Sequence, residues 1–223
     1  MKSLTKQDIP RIATEALQHH LDKPGGILYS SHETIRPGSV YFLGLNPGGC
    51  GGPKLSERIE NLLSQEGNVY LDEAWQNEAA LYESGQAPLQ KRAVWLLENI
   101  DFEPRNVLSS NLIFIQSKDE SGVSFLQDAN DCWPVHEALL SIVRPRLILA
   151  YGNSKFSPYS YIHSIYGGQQ CYAPSGHGNW SLKGFNAKIA GSDVFVAGIP
   201  HLSRYDPIGK QQVLNWIKNK GQA

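Results

Sequence analysis

One stretch constrains this chain more than any other: Val40-Tyr-Phe-Leu-Gly-Leu-Asn-Pro-Gly-Gly-Cys-Gly-Gly-Pro53. Val40 to Leu45 is a run of apolar β-formers without alternation, the pattern of a strand buried on both faces. It breaks into Asn46-Pro47 and a cluster of glycines. Proline fixes its own φ and pushes Asn46 away from helical geometry, while the glycines let a ligand approach bare backbone. A buried strand opening into such a loop predicts a parallel sheet with a ligand crevice beyond the strand ends. Neither nucleotide fingerprint is met: no Lys-Ser/Thr follows the glycines, and no G-x-G-x-x-G opens a helix.

Three further apolar segments repeat the pattern. Asn106 to Ile115, Arg146 to Tyr151 and Asp193 to Ile199 read as strands. Between them, helical spacing predicts helices over Gln7–Leu21, Lys54–Ser64, Leu71–Tyr82, Leu89–Ile100, Pro134–Val143, a segment ending at Tyr166, and Ile208–Asn219. Gly167 to Phe185 reads as a glycine- and aromatic-rich loop. Strands alternating with helices predict one α/β domain over residues 1–223, a three-layer α/β/α sandwich around a mainly parallel four-stranded sheet.

With 223 residues and a formal net charge of −1, bulk electrostatic coating of nucleic acid is excluded, although a local basic face is not. From Ser181 onward, lysine and arginine outnumber Asp193 and Asp206. No apolar run approaches membrane-spanning length, and Met1 to Asp8 lacks the apolar stretch of a signal peptide. Cys50, Cys132 and Cys171 are far apart and odd in number, so a reducing, cytoplasmic setting without disulfides is expected. Cys132 reads as a small buried hydrophobe. His19 and His20 read as surface groups at the end of the first helix. His163, His177, His201 and Asp193 lack a close-spaced ligand pair, so no metal or other cofactor is expected. Trp180 and Phe185 read as cover for the sheet edge.

Polar groups stand at three strand ends: Asn46, Asn111 and His201. Each alone fits a turn or a satisfied backbone. Together, at equivalent ends of parallel strands, they predict a shared crevice.

Gly44-Leu-Asn-Pro-Gly48, Val107-Leu-Ser-Ser-Asn111, Pro145-Arg-Leu-Ile-Leu-Ala-Tyr-Gly152 and Pro200-His-Leu-Ser-Arg204 resemble, in this order, motifs of the uracil-DNA glycosylase superfamily. The first is similar to the loop of its mismatch-specific branch. The resemblance spans roughly Val40 to Trp216 and implies a four-stranded parallel sheet in the order 2-1-3-4. It implies an enzyme that flips a damaged or mismatched, uracil-type base from single- or double-stranded DNA and hydrolyses its N-glycosidic bond without a cofactor. The same likeness gives Asn46 the role of positioning water and His201 that of binding the departing base. Asn111, with Gly44, Leu45, Pro47 and Gly48, would hold the base. Leu202 would serve as a wedge beside Ser203 and Arg204 on the DNA. Tyr70, Trp75 and Tyr82 are the candidates to stack on the base. Leu202 departs from the family's proline at that position, and Leu202-Ser-Arg204 also fits a later Leu-Ser-Arg element, which would move His201 out of the catalytic slot. The altered loop leaves an alternative open: a module on the same fold that binds a nucleobase or nucleic acid without cleaving it.

Overall fold

A computed structural model describes residues 4–76, 80–118 and 122–221. Its centre is a six-stranded mixed sheet of β1 (Val40–Gly44), β2 (Leu108–Asn111), β3 (Leu147–Tyr151), β4 (Cys171–Pro174), β5 (Ser181–Ile189) and β6 (Ser192–Ile199). The spatial order is β2-β1-β3-β6-β5-β4. The first four run parallel, and β5 and β4 add antiparallel to the β6 edge. The expectation of a four-stranded, mainly parallel sheet is therefore corrected to six strands of mixed direction. The segment expected to be a loop, Gly167 to Phe185, supplies β4 and the first half of β5.

Seven α-helices flank the sheet among the described residues: α1 (Ile9–Ala16), α2 (Leu55–Glu60), α3 (Val69–Asp72), α4 (Pro88–Asn99), α5 (Phe125–Val143), α6 (Pro158–Tyr166) and α7 (Gln211–Gly221). None is long and apolar enough to cross a membrane. Strand residues alternate between two cores, as the two-residue period of a pleated sheet requires. Tyr41, Leu43, Ile148, Ala150, Val194 and Val196 pack toward α1, α5 and α6. Val40, Phe42, Leu149, Tyr151, Phe195 and Ala197 pack toward α4 and α7.

Several helix boundaries differ from the sequence reading: α1 ends at Ala16 rather than Leu21, α2 at Glu60 rather than Ser64, α7 begins at Gln211 rather than Ile208, and two others differ more widely. Leu71–Tyr82 was expected as one helix, but helix ends at Asp72, and Gln76 pairs with Leu81 across an antiparallel bridge. The buried Gln90 amide accounts for the stop: its Nε2 donates to the carbonyls of Val69 and Glu73, both at 2.8 Å. Residues 77–79 of the expected helix lie outside the described set. α5 begins at Phe125 rather than Pro134, which sits inside it. Asp128 anchors the true start by accepting from the Ser124 backbone N–H at 2.7 Å. At the other end Arg144 adopts left-handed geometry, φ 50°, and Pro145 prevents continuation.

His136 on α5 ties this helix to the sheet. Its Nε2 meets the Leu112 carbonyl at 2.9 Å and so must donate, which leaves Nδ1 to accept from the Tyr41 hydroxyl at 2.7 Å. The ring is fully buried and neutral, and burial pushes its pKa from 6.5 down to about 4. The unfolded chain takes up this proton below about pH 6.5 and the folded chain resists it down to about 4. The associated stability is thus complete above pH 6.5 and is lost as pH falls across that window, by an order of ~3 kcal/mol. Thermal midpoints measured from pH 7.5 to 4.5 should fall on acidification more steeply in the native chain than in His136→Gln. Parallel curves would show that this ring is not responsible.

Candidate functional site

Parallel pairing aligns Asn111, Gly44 and Tyr151 side by side at the carboxyl ends of β2, β1 and β3. Gly44 stands opposite Asn111, and Leu43 opposite Ala150 puts Gly44 level with Tyr151. All three face the α4 side. A Cβ at Gly44 would lie 2.1 Å from the Tyr151 hydroxyl and 2.2 Å from Asn111 Oδ1, so the missing side chain is what lets these groups meet. The Tyr151 hydroxyl donates to Asn111 Oδ1 at 3.4 Å and shares a 2.8 Å hydrogen bond with Tyr70, which α3 delivers from above.

Asn111 is 2% exposed, and among the described residues its Nδ2, which has the Tyr29 hydroxyl on its donor side, makes no well-formed hydrogen bond. A buried, unsatisfied amide donor is costly, on the order of 1–3 kcal/mol, and rare enough to require a reason. The Tyr29 hydroxyl faces the same carboxamide. Burial holds Tyr29, Tyr70 and Tyr151 well above the ordinary phenol value, Tyr151 at about 12. Each hydroxyl therefore stays protonated at neutral pH and can both donate and accept.

His201 follows β6, and its ring meets Tyr151 edge-on at 5.5 Å. The Ser203 backbone N–H donates to its Nδ1 at 3.2 Å, and Ser203 Oγ lies 2.7 Å from the same nitrogen. A backbone N–H can only donate, so Nδ1 holds the lone pair and the ring proton sits on Nε2. Burial, with Arg204 nearby, lowers the ring's pKa to about 4. The group is a neutral N–H donor at physiological pH.

Asn111 and His201 thus share Tyr151. Asn46 lies two residues beyond Gly44, half-buried, with its Nδ2 donating to Ser117 Oγ at 2.8 Å and to the Pro47 carbonyl at 3.0 Å. Its Oδ1 accepts no hydrogen bond among the described residues. Backbone bonds zip this loop to the one after β2: Leu112 N–H to the Gly44 carbonyl, Ile113 N–H to Leu45, and Ser117 N–H to Pro47. Gln116 clasps the glycine loop, donating to the Gly48 carbonyl and accepting from the Gly52 N–H. Leu45 turns outward to line a groove of about 580 Å³ with Val123, Phe125, Leu126 and Phe156.

The cluster itself is closed. Tyr70 and Tyr151 are 1% and 4% exposed, with the half-buried Tyr29 and His201 on its outer side. Leu202 is fully buried among Leu182, Tyr205 and Val213. That corrects its reading as a wedge: the turn after His201 carries this side chain into the core, and Arg92 fixes the turn by donating to the Leu202 carbonyl at 2.8 Å. Ser203 and Arg204 are exposed. Of the aromatics considered for stacking, Tyr70 belongs to the cluster and Trp75 packs on it at 6.3 Å, while Tyr82 joins Trp75 through its backbone N–H. Tyr29 and Tyr151 were missed because tyrosine near a strand reads as core. The available signal was Gly44, a glycine in an otherwise apolar strand.

His163 and Asp193 stand apart from His201: His163 packs on Phe185, and Asp193 pairs with Lys188 toward the opposite end of β5. The one group with metal-ligand chemistry among the described residues is His20 with Asp128 and Asp131. His20 is buried rather than superficial, and its Nε2 meets Asp131 Oδ2 at 2.8 Å and Asp128 Oδ1 at 4.0 Å. The 2.8 Å contact has the length of a hydrogen bond between imidazole and carboxylate, and it fastens the turn after α1 to α5. Cys132 is buried, as expected, and Cys50 and Cys171 are free thiols. No family model and no curated protein matches this chain.

Proposed function

We propose that this chain is a monofunctional base-excision enzyme of the uracil-DNA glycosylase type, acting on a damaged or mismatched pyrimidine in DNA. The observation that carries the reading is the buried Nδ2 of Asn111, without a well-formed hydrogen bond among the described residues, which shares Tyr151 with a neutral imidazole donor at the ends of parallel strands. The order β2-β1-β3-β6 within the parallel part of the sheet agrees with the order 2-1-3-4 that the sequence resemblance implies.

The chemistry follows from the groups. Asn111 reads the base edge with one donor and one acceptor. The base enters by displacing Tyr29, a half-buried side chain whose hydroxyl faces the carboxamide. As the N-glycosidic bond breaks, its electron pair leaves with the base, and His201 Nε2–H donates to the oxygen where negative charge gathers. Asn46 Oδ1 holds water against the oxocarbenium-like sugar. It is no base, but such a centre accepts weakly nucleophilic water, which adds at C1′ and loses its proton to solvent. Ser203 and Arg204 remain exposed toward the DNA backbone.

Oligonucleotides carrying uracil or mismatched pyrimidines, treated with the protein and then with alkali, should break at the lesion. Asn46→Ala and His201→Ala should each slow excision by on the order of 100-fold. The profile should show no inflection near pH 6.5, because His201 stays neutral down to about 4. Undiminished activity in both variants would place the chemistry elsewhere.

The closed tyrosine cluster favours a second reading, in which the site binds a free base or nucleoside without turnover. Calorimetry with uracil, thymine and their nucleosides separates the two: tight binding without strand breakage on any lesion supports the module.

A further inference from the structure

Charge is divided unevenly along this chain. Beyond Glu137 there are nine lysines and arginines but only two carboxylates, Asp193 and Asp206, and none at all from Ala138 to Ser192. β5 runs antiparallel to β6, with Lys183 opposite Gly198, so its first residues lie at the same end as His201. The tip of the β4–β5 hairpin is therefore held at that end, beside the turn that follows His201. The Tyr205 hydroxyl donates to the Ser175 carbonyl at 2.6 Å, and the His177 ring lies 6.3 Å from Tyr205.

That tip carries an exposed aromatic pair. Phe185, read like Trp180 as cover for the edge, lies within β5 and is buried in the core, whereas Trp180 is 41% exposed and tilts against the exposed His177 at 4.7 Å. Arg204 precedes Tyr205, the ring that His177 meets, and Lys210 Nζ lies 5.2 Å over it, while Lys183, which donates to the Asn153 carbonyl, and Lys155, after β3, stand at the same end of the sheet. The neighbouring carboxylate, Asp206, faces Arg92 at 3.5 Å. Exposed rings interleaved with unopposed cations are the chemistry that holds a single nucleic-acid strand, bases on the rings and phosphates on the cations.

We propose that the β4–β5 hairpin tip is a single-strand clamp, with Trp180 and His177 stacking on bases and Lys155, Lys183, Arg204 and Lys210 taking phosphates. It rests on the excision reading in that the strand held is the one delivering a base to Asn111, yet binding is measurable without excision. The test is fluorescence anisotropy of an undamaged, labelled oligothymidylate at several salt concentrations. The native chain should bind with affinity falling steeply in salt. Trp180→Ala should weaken binding by roughly tenfold, and Arg204→Glu should reduce the salt slope by about one. Lys188→Glu, at the far end of β5, should change neither. Absence of binding, or equal binding by Trp180→Ala, would overturn the clamp, as would polyglutamate displacing the oligonucleotide from both forms alike, which would indicate a surface for acidic protein. Binding that depends on Trp180 without excision of any lesion would keep the clamp and reject the enzyme. Excision with Trp180-independent binding would do the reverse.

Discussion

Gly44→Ala is expected to lower the melting temperature by roughly 6–12 °C, corresponding to about 3 kcal/mol, and to abolish both base binding and excision. The added methyl would stand 2.1 Å from the Tyr151 hydroxyl, 2.2 Å from Asn111 Oδ1 and 2.4 Å from Tyr151 Cζ. Every one of these atoms is held by packing: Tyr151 touches Phe42 at 4.9 Å and bonds Tyr70, and Asn111 is anchored at the end of β2. No small rotation clears the methyl, because a ring carbon and not merely its hydroxyl is in the way. A Gly44→Ala chain as stable as the native one would mean that the three strand ends are not packed as described.

Asn111→Leu is expected to do the opposite to stability. Leucine has nearly the same size and removes from a buried position an Nδ2 without a well-formed hydrogen bond among the described residues, together with an acceptor that receives only a 3.4 Å contact from Tyr151. Stability should hold or rise by about 1 kcal/mol, while affinity for the base, or the excision rate, falls on the order of 100-fold. A side chain kept for structure gives the reverse outcome, destabilisation with whatever activity survives folding. Melting curves and the excision assay on the same preparation decide between them.

The parallel part of the fold was legible because β1, β3 and β6 are buried on both faces, and burial of that kind writes an unbroken apolar run. β4 and β5 were not legible for the complementary reason. Along β4 the burial alternates only between partial and none, through Cys171, Tyr172, Ala173 and Pro174, and β5 carries Lys183, Asn186 and Lys188. An edge hairpin covered on one side leaves little pattern in a sequence. Pro134 misled differently: it signals a helix start, yet here it is accommodated within a helix anchored upstream by Asp128.

Within the site, Asn111 and His201 were legible as polar groups ending apolar strands. Their meeting point, Tyr151, was not, because only strand register brings it beside Gly44. Asn46 was found, but the tie of its amide to Ser117 depends on two loops zipped together far apart in the chain. Leu202 was misplaced since sequence cannot say which way a four-residue turn aims its side chains.

The most direct measurement follows the side-chain amide of Asn111 by proton–nitrogen correlation spectroscopy, its signals identified by their loss in Asn111→Leu. On addition of uracil, or of an oligonucleotide carrying an excisable pyrimidine, one of the two amide protons should move downfield as Nδ2 gains an acceptor. Signals that stay fixed while the ligand shifts residues elsewhere would contradict the assignment of this carboxamide to a nucleobase.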